Sequence, residues 1–352
     1  MNADMLKKDI KYLLKNPVFY FGIAIVIYIL IITIGPYLDL YKNTIDTTQK
    51  TKYGEYDLAD GYIPTPEKEK KEQVLQNIQK SLVEDYNLTS SDAENVVQKL
   101  KKIDTQEEIK QYLSENYDMP GVDSSYGLYR CKKATRGEME AYLSSIFSQR
   151  SYTESLSYKY IDYLGVGLVY FSIIIFMFIF MRDMKRDIFS LVHTKPISSF
   201  SYIFTKLLAG LIPVYTFAIA ATVIFDIIAN SAAVKYSFTC EWMSVWVKLL
   251  LLILPNVFMI GVFFVFITML FKNILPTIPA LLVYATYSNM GKSSEDGFIY
   301  TPNPLAIIVR FPNDLADNYL PAWTIINEIV LVVLAVCLLW VSIRLWEKRK
   351  LI

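Results

Sequence analysis

The chain has 352 residues, of which 53% are hydrophobic and only 20% charged. Soluble chains carry about a quarter charged residues and rarely contain apolar runs of about twenty. The composition therefore excludes most soluble enzymes and points to an all-α integral membrane protein. Lys and Arg (35) almost balance Asp and Glu (34), which disfavours a dedicated nucleic-acid binder. One His and three Cys leave few side chains for a His- or thiolate-based metal site, so no metal ligands are expected.

In chain order, residues 3–15 predict an amphipathic helix with Leu6, Ile10, Leu13 and Leu14 on one stripe and the lysines on another. Asn16-Pro17 ends it, so residues 1–16 form an interfacial helix with lysines toward anionic headgroups. A hydrocarbon core of about 30 Å needs about 20 apolar residues per helix. Six runs meet or approach that length: 18–37, 163–181, 204–229, 245–271, 274–288 and 323–346. The layout is transmembrane helix 1 at 17–37, an external domain at 38–160, and helices 2–6 within 161–352. The fifth run is short and interrupted by Pro276 and Pro279, the pattern of a bent helix or gate. The first run is too long for a cleaved signal peptide and no A-x-A site follows it.

The external domain reads as mostly helical. An irregular Tyr-rich stretch leads to Thr65-Pro66, a good helix start, and Val74, Leu75, Ile78 and Leu82 form a stripe behind it. Capping boxes are expected at Ser91…Glu94, Thr105…Glu108 and Thr135…Glu138. A turn-rich link spans 117–134, and the unequal spacing of the starts excludes a solenoid. Cys131 and Cys240 both fall on the external side, where a disulfide between them stays open.

Charge sets the orientation. The two ends and the short loops after runs two and four hold 14 basic against five acidic residues, whereas 37–158 holds 16 basic and 21 acidic. Both termini are therefore placed in the cytoplasm, with 38–160 extracellular, in a multi-pass protein of the cell membrane.

The loop MRDMKRDIFSLVHTKPISSFSYIFTKLLAG starts at Met181 and predicts a short amphipathic helix within 183–199, broken at Lys195-Pro196. Such a helix at the membrane surface suits the transmission of motion from a docked soluble partner, although an ordinary loop fits the same residues. Here the sequence resembles the permease subunits of ABC-2 type transporters. The resemblance lies in Asp187 after span two, Leu191 through Pro196 to Ser198, Lys206 to Gly210 opening span three, LKKDIKYLLKNP as an elbow helix, and Asn303-Pro304-Leu305 before span six. It covers about 1–37 and 160–352; Ile188 and Phe189 stand where the family often has Gly-Thr. It implies an ATP-driven exporter in which two cytoplasmic ABC ATPase subunits dock on two permeases, the second identical or homologous. ATPase coupling would involve Asp183, Asp187, Ile188, Phe189, Leu191, His193, Lys195 and Pro196. It also implies re-entrant elements at 297–321. ATP and Mg would be bound by the partner ATPase, leaving this chain with no cofactor and no catalytic residue. Gly291-Lys292-Ser293 lacks the first glycine of a phosphate loop, Thr286 standing in its place, and is expected to be a polar turn.

Ionisable groups inside spans are costly and commonly face a bundle interior. Asp226 and Glu328, with Pro276 and Pro279, are the candidate translocation-path residues; Lys248 and Asp162 fit headgroup-level charges. An abundance of Ile, Lys, Asn and Tyr suggests an AT-rich bacterium, so export of, or resistance to, an antimicrobial peptide or other amphiphile is the expected cargo chemistry. A membrane receptor whose external domain senses a ligand is the alternative. A membrane-embedded enzyme is disfavoured, since no HExxH or G-x-S-x-G motif occurs.

Overall fold

The computed structural model describes residues 3–46, 48–49, 51–54, 57–119, 121–184, 197–293 and 300–350. Helix α1 (Ala3–Leu14) stops at Asn16, whose side chain caps α2 (Pro17–Ile34) by accepting the Val18 N–H at 3.0 Å. Pro17 sits in the first turn of α2, where a missing N–H costs nothing. The buried face of α1 differs from the expected stripe. It runs through Asp9 and Leu13, one turn apart, while Leu14 is exposed.

The hydrophilic segment holds five helices: α3 (Glu67–Glu84), α4 (Ser90–Leu100), α5 (Gln106–Tyr117), α6 (Val122–Leu128) and α7 (Arg136–Phe147). The Val74, Leu75, Ile78 and Leu82 stripe of α3 is buried against Val96, Val97 and Leu100 of α4 and Ile109 and Leu113 of α5. Two expected capping interactions are present. Thr105 accepts the Glu108 N–H at 3.3 Å, and Thr135 and Glu138 cap each other in both directions. The third is displaced. Thr89, not Ser91, caps α4 by accepting the Asp92 N–H, because Thr89 holds the extended backbone that a cap requires. A sheet was not anticipated. β1 (Tyr53–Gly54), β2 (Tyr62–Pro64) and β3 (Cys131–Lys133) pair antiparallel in the order β1-β3-β2; two- and three-residue strands carry too short an alternation to read.

Helix α8 (Tyr152–Asp183) follows, then α9 (Ser199–Lys235), α10 (Met243–Lys248), a π-turn at Leu249–Ile253, α11 (Leu254–Phe271), α12 (Thr277–Asn289) and α13 (Ala322–Lys350). Among the described residues five helical stretches are long and apolar enough to cross a bilayer: Pro17–Leu38, Tyr152–Met181, Ser199–Lys235, Met243–Phe271 and Ala322–Lys348. They mark a multi-pass membrane protein. α12 has 13 residues, about 20 Å of helix against a core of about 30 Å. Pro276 is its N-cap and Pro279 lies in its first turn, so the two prolines begin this helix; they do not bend it. Pro213 lies within α9.

The chain divides into two compact units, Asp39–Ile146 and Met1–Leu38 with Phe147–Ile352. In the second, α8 is central and packs on α2, α9 and α11, while α11 also packs on α13. Its span is 61% buried against 22% for those of α2 and α13. Close approach is set by glycine. A Cβ on Gly210 of α9 or on Gly261 of α11 would stand 2.5 Å from the Phe176 ring of α8, so the ring occupies the space that two absent side chains leave.

Between α12 and α13 the chain forms a ribbon of β4 (Gly291–Ser293) with β5 (Tyr300–Pro302). The Gly291-Lys292-Ser293 string is thus a strand and not the expected turn. From Asn303 to Pro321 the backbone is irregular, yet Ala306, Ile307, Ile308 and Phe311 are buried. Buried irregular backbone must find partners for its polar groups. Asn327 of α13 accepts the Leu305 N–H and donates to Ala306 O, and Ser288 accepts the Ile307 N–H.

Candidate functional site

The end of the bundle that carries α1 holds a buried ion cluster. Lys206 of α9 is 1% exposed; its Nζ lies 2.6 Å from Asp183 Oδ2, at the C-terminus of α8, and 2.8 Å from Asp9 Oδ2 of α1. Tyr202, one turn before Lys206, donates its hydroxyl to Asp183 at 3.1 Å. The Trp346 ring of α13 stacks on Tyr202 with centroids 4.3 Å apart. Side chains of α1, α8 and α9 therefore meet around one ammonium, and α13 joins them through the Trp346 ring on Tyr202.

The local sequence explains the convergence. Ser198 caps α9 by accepting the Ser201 N–H at 3.2 Å, which fixes where the helix begins. Tyr202 and Lys206 then fall on one face. Asp183 ends α8, where the helix dipole disfavours a carboxylate, and the Lys206 ammonium offsets that. Two carboxylates and one ammonium out of water are expensive, and the Tyr202 hydroxyl is the kind of added hydrogen bond that makes such a cluster tolerable.

The cluster meets both ends of the expected coupling segment, 183–199: Asp183 opens that segment, and Tyr202 and Lys206 follow its end on α9. Of the expected coupling residues, Asp183 is buried in the cluster. Asp187, Ile188, Phe189, Leu191, His193, Lys195 and Pro196 lie outside the described residues. Comparison with protein-family models, curated proteins and solved structures found no match. What this chain does must therefore be argued from its own residues.

The other expected residues stand apart from the cluster and from each other. Asp226 of α9 accepts from Asn230 Nδ2 at 2.7 Å and from the Trp246 indole of α10 at 3.1 Å. Glu328 of α13 is buried and accepts from Asn256 Nδ2 of α11 at 3.3 Å. Lys248 is buried with its ammonium on the Ser157 and Ser244 hydroxyls and 3.9 Å from the Tyr158 ring centre. Asp162 is a clamp in place of the expected headgroup-level charge: it accepts from Arg310 Nε and from the Phe311 N–H. Lys159 Nζ and Arg150 add bonds to Asn313 O and Ala316 O, so the start of α8 and Arg150 just before it hold the irregular segment. Cys131, Cys240 and Cys337 form no disulfide among the described residues.

The hydrophilic unit has an ion cluster of its own. Lys132 bridges Glu69 and Glu138, both at 2.8 Å, and Tyr53 donates to Glu69 at 3.0 Å. Burial alone would lower the Lys132 ammonium, but its hydrogen bonds to Glu138 and Glu69 win and hold it above its ordinary value. Burial would likewise raise the Glu138 carboxyl, and the bonds from Lys132 and Thr135 outweigh that and hold it down. Burial, then the bond to Glu69, pushes the Tyr53 phenol up to about 12.

Sequence reasoning missed Asp9, Tyr202 and Trp346 altogether, and read Lys206 only as part of a motif. A signal existed. Asp9 is an acid one turn from Leu13 on a lysine-rich helix, Asp183 stands two residues after the second apolar run, and Lys206 lies in the first turn of the third.

Proposed function

We propose that this chain is the permease subunit of an ATP-driven ABC-2 type exporter, with six spans, α12 being the short fifth. It is placed in the cell membrane with α1 as an elbow helix, both termini cytoplasmic and the hydrophilic unit outside. The observation that carries the reading is the Lys206–Asp9–Asp183 cluster. It ties the two ends of the coupling segment to the elbow helix, so that a push on that segment moves α1, α8 and α9 together. Two ATPase subunits, which would hold ATP and Mg, act on the segment. A second permease completes the path, and the apolar faces that α2 and α13 leave uncovered give room for it and for lipid. Cargo, an antimicrobial peptide or another amphiphile, leaves the membrane outward.

A photo-crosslinking residue placed in turn at 188, 189 and 193 tests the docking. Capture of an ATPase subunit in cells supports it. The separate core of residues 39–146 favours the second reading, a sensor whose outer unit binds a ligand. Capture of a kinase or adaptor in place of an ATPase would select that one.

A further inference from the structure

The π-turn at Leu249–Ile253 widens the helix between α10 and α11 just before Pro255. Beside it lies a groove of about 300 Å³, lined by Leu250, Leu251, Pro255, Ile329 and Val332 among others, with Glu328 its one charged lining residue. Leu250 and Ile329 are each 60% exposed, so the groove faces the outside of the described bundle.

Among the described residues no basic side chain pairs with the carboxylate at its wall. Glu328 and Asn256 are each 4% exposed, and the Asn256 amide donates to one Glu328 oxygen. The second oxygen, Oε2, and Asn256 Oδ1 are buried without a donor among the described residues. The neighbouring Asn327 gives one amide proton to Ala306 O, and its side chain also acts on the Glu328 carboxyl as a neutral partner that brings no charge. Two adjacent buried acceptors with no donor are costly in an apolar surround, and a positively charged ligand would relieve both. An inorganic cation such as calcium would need about six to eight oxygen ligands, far more than this wall offers. An organic cation brings its own apolar body, which the aliphatic walls would cover.

We propose that the groove binds a lipophilic organic monocation, its charge held by Glu328 beside Asn256 and its body laid along Leu250, Ile329 and Val332. The cation is cargo only in so far as the export reading holds; the site itself does not depend on it. Glu328 lies six residues into α13, about 9 Å along the helix axis, at the end of the bundle remote from the Lys206 cluster. A cation would therefore enter from the leaflet at that end.

The test is equilibrium binding of radiolabelled tetraphenylphosphonium to the purified full chain in neutral detergent, with neutral triphenylphosphine oxide as competitor. Saturable binding to the wild type is expected, weakened about tenfold or more by Glu328→Gln. Val333→Trp, which fills the groove from an exposed position, should weaken binding while Glu328 stays in place. The neutral competitor should displace little. Absence of saturable binding, equal binding by Glu328→Gln, or full displacement by the neutral compound each overturns the site. The last of these would mark a groove for lipid chains. Loss of a dimer in Val333→Trp with no cation binding would mark a subunit contact and overturn it too. Whether an ATPase accompanies the chain is a separate readout, so cation binding without an ATPase keeps the site and sinks only the export reading.

Discussion

Lys206 Nζ stands 2.6 Å from Asp183 Oδ2, a bond that closes α8 and α9 on each other with both side chains nearly removed from water. Asp9 adds α1 to the same ammonium.

Lys206→Met should destabilise the chain by about 3–5 kcal/mol, because it removes from a buried site the ammonium that Asp9 and Asp183 share. The triple variant Asp9→Asn/Asp183→Asn/Lys206→Met should recover most of that loss, since the two carboxylates that shared the ammonium are then neutral amides. Thermal unfolding in detergent, followed by size-exclusion fluorescence, reads both. A single variant as stable as wild type would show that the cluster contributes no net stability.

Bulk at Gly210 should be felt through Phe176. Gly210→Val places a side chain where the ring lies, an overpacking cost of about 1–3 kcal/mol. Adding Phe176→Leu should return part of the stability. If Gly210→Val alone is neutral, α9 and α8 are less closely apposed than described here.

The segment after β5 should depend on Asp162. This carboxylate is 2% exposed and holds both Arg310 and the Phe311 N–H. Asp162→Ala should raise hydrogen exchange at residues 305–311 and expose Arg310 to cleavage by trypsin. Unchanged protection there would mean that Asn327 and Ser288 suffice to hold the segment.

In the hydrophilic unit, pH dependence has a definite sign. The Glu138 carboxyl is depressed in the folded state, so its contribution is present above the usual carboxylate value and is lost as pH falls through the lower folded one. Lys132 is raised, so its contribution is present below the usual lysine value and is lost as pH rises through the higher folded one. Exchange protection around residues 131–138 should therefore be flat near neutrality and fall below about pH 4. In Lys132→Met the fall should move to higher pH, because Glu138 loses the partner that holds it down. An acid limb unmoved by Lys132→Met would contradict this.

Long apolar runs were legible because about 20 consecutive residues leave little choice in a bilayer; the helix spacing behind Val74 and Ile109 was legible for the same reason, repetition. Single contacts across the chain were not. Nothing local to Asp9 announces that Lys206, nearly two hundred positions later, will share its burial, and the stripe through Leu6, Ile10, Leu13 and Leu14 pointed to a different face. Pro276-x-x-Pro279 misled for a related reason. A proline pair inside an apolar run looks like a kink until the first helical residue is known to be Thr277. Asp226 and Glu328 were found as polar interruptions of apolar runs, but their partners Trp246 and Asn256 come from the helices that tertiary packing brings beside them.

The central claim is that an ATPase drives this chain through the segment beside the Lys206 cluster. The chain should be tagged, expressed with its neighbouring genes and purified in mild detergent, and the subunits that co-elute counted and assayed for ATP turnover. The account predicts an ATPase subunit in equal stoichiometry, released by Asp187→Arg while the chain itself still elutes as a folded protein. Elution without any ATPase, or with a kinase or adaptor in its place, would contradict it.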